Sequence, residues 1–184
     1  TSLQELVDAG YQIQLVSLNA EDIIENTLSY HSIQEHIDDA ALKAWAKNLS
    51  RWRAEPYWYS NESNLLRICL LLTIGGVYLD TDVILVNSLI DLPDNSMSGR
   101  EGGNFICSAM IFRKPGNLFL AASLNNFVQY YNGRDWGNNG PRVFRRTSVS
   151  HSHLICSDAN SAMCWLKPLP NSVFQPVHYK SWAK

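Results

Sequence analysis

The stretch from Leu65 to Leu89 reads LLRICLLLTIGGVYLDTDVILVNSL and is apolar over most of its length. Gly75 and Gly76 divide it, and a double glycine is typical of a left-handed helix stop. The sequence therefore predicts a helix capped by Ser63 before the glycines and a strand over 77–86 after them. Helices and strands alternate along the rest of the chain as well, which predicts the α/β class.

Periodicity and turn residues predict the remaining elements. These are a strand over Tyr11–Leu18, a helix over Gln34–Leu49, a loop over Asp91–Asn104, a strand over Phe105–Phe112, a helix over Asn117–Tyr131, and a helix that begins at Pro141 after a glycine-rich loop.

The length and charge of the chain limit what it can be. With 184 residues it is long enough for one compact domain, and its net charge of −2 excludes a basic nucleic-acid-binding face. Arg142, Arg145 and Arg146 are interpreted as a solvated helix face, with a binding patch as the alternative. The longest apolar run, Ile68–Ile74, is far shorter than a membrane span. Because the chain begins without Met, it is interpreted as a fragment that is incomplete at both ends.

Four cysteines are too few for a disulfide scaffold. Cys69 is predicted to be a core thiol. Cys156 and Cys164 lack metal-ligand spacing and are predicted to form a local disulfide, which would place them in an oxidising compartment. Sequons at Asn48 and Asn61 agree with such a compartment, although such triplets often arise by chance.

Two carboxylates interrupt the predicted strand. Side chains alternate along a strand, so Tyr78, Asp80 and Asp82 are predicted to share one face. Two like charges so close together are costly unless a cation lies between them, and carboxylate oxygens suit Mg²⁺ or Mn²⁺. The alternative is a strand end that carries two solvated acids.

Two blocks of sequence carry a resemblance to a known family. The run from Arg67 to Asp82 resembles the sugar-nucleotide signature of glycosyltransferases with a metal-binding Asp-x-Asp. The block FVQYYNGRDWGNNGPRVFRR, residues 127–146, resembles a second stretch of the α1,4-glycosyltransferase family, which includes α1,4-galactosyltransferases and α1,4-N-acetylgalactosaminyltransferases. The resemblance extends from about Leu42 to Trp182.

This resemblance implies a fold, a reaction and a location. The expected fold is of the GT-A type, with a mixed central sheet flanked by helices, in a single catalytic domain over residues 1–184. The family uses a UDP-sugar with Mn²⁺ (or Mg²⁺) and transfers with retention, here galactose or N-acetylgalactosamine to a glycan or glycolipid. It implies the Golgi lumen and a type II membrane protein, whose anchor lies outside this sequence.

The same resemblance implies roles for individual residues around the acidic motif. Asp82 would bind the metal directly, and Asp80 would bind ribose, sugar or metal. Tyr78 would lie against the nucleotide, and Arg67 would reach the donor sugar hydroxyls or the diphosphate. The alternatives are an Arg67 that only pairs with Asp80 or Glu62, and a Tyr78 that only packs.

The glycine-rich loop implies a second group of site residues. Asn139 would make a polar contact at the reacting centre, Trp136 would form an apolar wall, and Gly140 would lie in the substrate site. The alternative is a tight turn that caps the helix beginning at Pro141.

The sequence also departs from the family pattern. Asn64 stands where the family usually has Asp, and Cys107 and Ser108 stand where it usually has Asn-Gly or Asn-Asn. The chain ends before a segment in which a histidine and a tryptophan usually complete the metal and diphosphate site. Two other functions therefore stay open: an inactive member that only binds a sugar nucleotide or a partner, and a transferase of another sugar, such as mannose from GDP-mannose.

Overall fold

The computed structural model describes residues 3–174, apart from 11, 15, 102–103 and 157–163. The helices are α1 (Leu3–Asp8), α2 (Ala20–Leu28), α3 (Asp39–Ala46), α4 (Leu49–Arg53), α5 (Trp58–Thr73), α6 (Leu118–Gln129), α7 (Pro141–Ser150) and α8 (Asn171–Phe174), with 3₁₀ helices at His31–His36 and Ser152–Leu154. The strands are β1 (Gly76–Leu79), β2 (Ser96–Glu101), β3 (Asn104–Phe112) and β4 (Lys167–Pro168). The predicted α/β class is confirmed.

A mixed four-stranded sheet of order β1-β3-β2-β4 positions the rest of the molecule. The apolar strand β3 pairs antiparallel with β1 and with β2, and the short β4 pairs parallel with β2. Helix α7 packs against β3, and α6 packs between α5 and α7. Burying each large apolar side chain contributes roughly 1.5–3 kcal/mol. The fully buried aromatic side chains are Phe105, Phe112, Phe119, Phe127 and Phe144.

Helix α5 ends where the double glycine predicts. The amide of Gly75 donates to the carbonyls of Leu70 and Leu71, and its φ of 77° is left-handed. A Cβ at this position would lie 2.6 Å from the carbonyl oxygen of Arg113. Only glycine fits here, and the chain turns directly from α5 into β1.

Two predictions were wrong: the residue at which α5 begins, and the single helix before it. Helix α5 begins at Trp58, so Ser63 lies inside the helix instead of capping it. The segment predicted as one helix over Gln34–Leu49 contains the end of a 3₁₀ helix, then α3, then the first residue of α4. The backbone is extended at Ile37, and the carboxylate of Asp38 caps α3 by accepting from the amide of Ala41.

The strand predictions were right only in part. β3 and α6 lie where predicted, and α7 begins at Pro141. The strand predicted over 77–86 ends at Leu79, and β2 lies within the segment predicted as a loop. Residues 12–14 and 16–18, which the structure describes, contain no strand. Asn61 is only 2% exposed within α5, so the second sequon offers no accessible glycan acceptor in this fold.

Candidate functional site

The guanidinium of Arg67 is buried and contacted on several sides. Nη1 donates to the carbonyl of Cys107 at 2.7 Å, and Nη2 lies 3.3 Å from Oγ of Ser63 and 3.1 Å from Oδ1 of Asp80. The ring of Tyr78 lies beneath it, with the guanidinium carbon 4.4 Å from the ring centroid. A buried cation is costly unless it is paired and hydrogen-bonded, and these contacts supply both conditions.

Asp80 stands at the point where the chain leaves β1. Its amide donates to the carbonyl of Ser108, and its own carbonyl accepts from Val83 in a turn. Its Oδ1 atom accepts a 2.5 Å hydrogen bond from the Tyr78 hydroxyl in addition to the Arg67 contact. Within the described part of the chain, the other oxygen, Oδ2, has no hydrogen-bond or ion-pair partner.

Tyr78 links the two charged groups. Burial raises the pKa of its hydroxyl, and the hydrogen bond donated to Asp80 raises that pKa further. The hydroxyl also lies 3.2 Å from Oγ of Ser63. Tyr78 therefore stays protonated and acts as a donor that orients the carboxylate.

Asp82 lies apart from this network. The prediction that Tyr78, Asp80 and Asp82 share a strand face was wrong, because β1 ends at Leu79 and the chain turns over the next residues. Asp82 is exposed and makes no hydrogen bond or ion pair with the residues described. No group of three or more His, Cys, Asp or Glu side chains within the described ranges could hold a metal.

The two carboxylates nevertheless fit a divalent cation. Oδ2 of Asp80 and the carboxylate of Asp82 are hard oxygen donors two residues apart, and neither takes a partner from the described chain. Two carboxylates leave most coordination positions of Mg²⁺ or Mn²⁺ to water and to phosphate oxygens, as is usual where such an ion holds a phosphorylated substrate. The chemistry of these two carboxylates is thus compatible with a hard divalent cation.

A cleft of about 390 Å³ opens beside the network, bounded by α5, β3 and the loop before α7. The lining residues that bear on its chemistry are Asn64, Arg67, Asp80, Ser108, Trp136 and Arg142. Amide, hydroxyl, guanidinium and carboxylate groups converge with the side chain of Trp136, which is 68% exposed, and with the buried Phe105. Such a lining suits a polar ligand with hydroxyl groups and negative charge.

Asn64, which lines this cleft, is in close contact with Gly140, which does not line it. Asn64 is buried one helical turn before Arg67 on α5. A Cβ built on Gly140 would lie 2.7 Å from Oδ1 and 2.9 Å from Nδ2 of Asn64. Gly140 therefore makes room for the Asn64 amide, which explains why glycine precedes α7 here.

Asn139 has contacts other than those predicted. It is fully buried, its Oδ1 accepts from the amide of Asn132 at 3.0 Å, and its Nδ2 donates to the Asn132 carbonyl at 2.8 Å. Asn138 donates a further bond to Oδ1. These contacts hold the loop closed, as the turn alternative predicted, and Asn139 does not line the cleft.

Cys107 contributes through its backbone. Its carbonyl accepts from Arg67, while its buried thiol has a pKa raised chiefly by loss of water. The next carbonyl, that of Ser108, holds the Asp80 amide. Sequence reasoning missed these carbonyls, which no residue type reveals. It also missed Ser63 as a site residue, although its position four residues before Arg67 places both on one helical face.

Cys156 and Cys164 form a disulfide, which confirms the predicted pairing. Among the residues described, no helix combines the length and apolar character needed to cross a bilayer.

Sequence comparison identifies the class of protein to which this site belongs. Residues 1–101 match the profile of the glycosyltransferase sugar-binding region containing the DXD motif. The chain belongs to this glycosyltransferase family, whose DXD region generally implies binding of a divalent metal ion. Residues 112–184 match the α1,4-glycosyltransferase conserved region.

Individual relatives narrow the comparison further. Lactosylceramide 4-α-galactosyltransferase of Mus musculus is 32% identical over 152 residues, covering 83% of this chain and 42% of the relative. The human protein of that name is 29% identical over 153 residues, covering 83% of this chain and 42% of the relative. Human α-1,4-N-acetylglucosaminyltransferase is 26% identical over 150 residues, covering 80% and 43% of the two chains. No solved structure matches the chain.

Proposed function

We propose that this chain is part of the catalytic domain, of the GT-A type, of a retaining glycosyltransferase. The enzyme would move galactose from UDP-galactose to a glycan in α linkage, with a glycolipid as the natural carrier. The buried Arg67 bonded to Asp80 of the DXD motif, at the side of a polar cleft, is the observation that carries the proposal. The name of the 32% identical mouse relative supports galactose and a glycolipid.

The proposed donor site uses charge and orientation. Oδ2 of Asp80 and the carboxylate of Asp82 would hold Mn²⁺, which, when bound, offsets the negative charge of the diphosphate. Arg67 fixes Asp80 through Oδ1 and brings positive charge to the cleft wall. Asn64 offers an amide to the sugar hydroxyls, and Trp136 covers the donor at the cleft margin.

The transfer itself needs no nucleophile from the protein. The acceptor hydroxyl would attack the anomeric carbon on the face that UDP leaves, so the bond to the acceptor forms as the bond to the diphosphate breaks. The hydroxyl proton passes to the departing phosphate oxygen. Stabilising a departing anion by fixed charges is commonly the largest catalytic contribution. Arg67 supplies such a charge from the chain itself.

The disulfide Cys156–Cys164 supports a location in the Golgi lumen, since such bonds persist in oxidising compartments. By family resemblance, the whole protein would be a type II membrane protein.

Calorimetric titration with UDP, UDP-galactose, UDP-N-acetylhexosamines, GDP and GDP-mannose, with and without Mn²⁺, tests the proposal. UDP ligands should bind only with Mn²⁺, and Asp82→Asn should weaken binding by about tenfold or more. The control, Asp91→Asn, removes another exposed carboxylate and should leave binding unchanged. Unaltered binding in Asp82→Asn would overturn the metal assignment. Preference for GDP ligands would overturn the donor, and Mn²⁺-dependent binding by a full-length protein that never transfers sugar would overturn the enzyme assignment.

A further inference from the structure

A second, larger cleft lies between α6 and α7. Its volume is about 690 Å³, within the range of roughly 300–1,000 Å³ found for small-ligand sites. Arg142, Arg145 and Arg146 all line it. Its lining, drawn from the described part of the chain, contains no Asp or Glu.

Arg146 is the most constrained of the three arginines. Nε donates to Oδ1 of Asn126 at 2.8 Å, Nη1 donates to Oδ1 of Asn138 at 3.0 Å, and Nη2 donates to the Asn138 carbonyl at 3.1 Å. Every one of these partners is neutral. Burial lowers the pKa of Arg146, and the positive charge of Arg142 lowers it further. The interpretation of these arginines as a purely solvated face was therefore wrong for Arg146.

The other two arginines add charge at the mouth of the cleft. Arg142 pairs with Asp135, and it also lines the first cleft beside Arg67. Arg145 is exposed, and its carbonyl accepts from Oγ of Ser148, but its guanidinium makes no hydrogen bond or ion pair with the residues that the structure describes. The cleft thus carries excess positive charge and is joined to the proposed donor site through a shared side chain.

Gln129 and Tyr130 also line this cleft. Gln129 is exposed, and its side-chain amide makes no hydrogen bond with the residues described. Tyr130 is 50% exposed, and its ring centroid lies 5.4 Å from the guanidinium carbon of Arg146. Amides bond sugar hydroxyls, and aromatic faces cover the apolar faces of sugar rings. Arginines alone would suit any anion, whereas this combination suits an anionic sugar.

We propose that the α6–α7 cleft binds the acceptor as a glycan with a negatively charged substituent, a carboxylate, sulfate or phosphate. The charged group would lie against Arg145 and Arg146, and the reacting hydroxyl would reach the first cleft past Arg142. The acceptor role rests on the proposed function, whereas binding of the charged glycan does not.

The test measures glycan affinity by calorimetry on the whole chain, without nucleotide or metal. The probes are 3′-sialyllactose, lactose 3′-sulfate and a lactose 3′-phosphate, with lactose as the neutral match. Charged glycans should bind at least about tenfold tighter than lactose. Arg145→Gln should weaken the binding of the charged glycans by about tenfold. Arg51→Gln, which removes an exposed arginine away from both clefts, should change nothing. Equal affinity for lactose and its charged forms would overturn the inference, as would equal losses in the two variants.

Further arms separate the sources of negative charge and the two proposals. Inorganic phosphate that binds as tightly as the charged glycans would overturn the sugar assignment, and so would tighter binding to phosphatidylserine vesicles. Arg145→Gln should bind UDP and Mn²⁺ normally. Charged glycans that bind while UDP does not would overturn the proposed function and support the cleft. Transfer to lactose as fast as to its charged forms would overturn the acceptor role.

Discussion

Arg67 and Asp80 form an ion pair in which the cation is the more deeply buried partner. Nη2 of Arg67 lies 3.1 Å from Oδ1 of Asp80, and the side chains are 7% and 30% exposed, respectively. The pair fixes one carboxylate oxygen from inside the protein and leaves the other free of described partners. Arg67 therefore orients the DXD motif in addition to adding charge to the cleft.

Replacing Arg67 by lysine should expose this role. A lysine ammonium cannot reproduce the planar fork that contacts the Cys107 carbonyl, Ser63 and Asp80 together. We expect the free energy of unfolding to fall by about 1–3 kcal/mol and affinity for UDP with Mn²⁺ to fall about tenfold. Denaturant unfolding and calorimetry measure the two effects.

The matched control is Arg53→Lys, which weakens an exposed ion pair with Glu21. Surface pairs contribute about 0–1 kcal/mol, so this variant should unfold almost as the parent does and bind UDP normally. Comparable losses of stability and UDP affinity in Arg67→Lys and Arg53→Lys would contradict the orienting role of Arg67.

Gly140→Ala tests the contact between the loop and α5. The new Cβ would lie 2.7 Å from Oδ1 of Asn64, so either the loop or the amide must shift. Overpacking of this kind costs about 1–3 kcal/mol of unfolding free energy. Truncating the partner in the double variant Asn64→Ala/Gly140→Ala should recover part of that loss, and a double-mutant cycle from denaturant melts measures the coupling. Additive losses would mean that the clash does not involve Asn64.

Local chemistry decided which parts of the fold the sequence could predict. The helix stop at Gly75 and the helix start at Pro141 follow from the backbone preferences of glycine and proline, and both predictions are confirmed. β2, by contrast, is polar and includes a glycine, so only its pairing with β3 makes it a strand. Its partners in β3 follow closely in sequence, from Glu101↔Asn104 to Ser96↔Ile111, so its polar composition and not distance along the chain concealed this strand.

The same distinction applies to the site. The acidic pattern marked Asp80 and the family resemblance marked Arg67, and the structure shows the Arg67–Asp80 pair that was predicted as the alternative. The position of Asp82 depends on where β1 stops pairing with β3, and the contacts of Asn139 depend on how its loop closes on Asn132. Neither pairing nor loop closure can be deduced from residue type, so these two predictions missed the observed geometry.

The disulfide should stabilise the segment that leads into β4. The amide of Cys156 donates to the carbonyl of Leu166, and Ile155 and Leu166 form a parallel bridge beside it. Closing the short loop between Cys156 and Cys164 should contribute about 2–3 kcal/mol to the free energy of unfolding. Cys156→Ser/Cys164→Ser should lose that amount in denaturant melts. Dithiothreitol should lower the unfolding free energy of the parent by the same amount and leave the double variant unaffected. An effect on the double variant would show that the loss does not come from this disulfide.

The thiol of Cys69 should make the protein sensitive to alkali. Burial in α5 raises its pKa from 9.0 to about 12, so the unfolded chain loses this proton first as pH rises. The native state then binds more protons than the unfolded state, and stability falls with rising pH between 9.0 and about 12, while below 9.0 the contribution is complete. In thermal melts across that window, Cys69→Ala should lose less stability per pH unit than the parent. Ser123→Ala, a buried change without a titrating group, should keep the parental slope, and a Cys69→Ala slope equal to it would show that this thiol does not control the alkaline response.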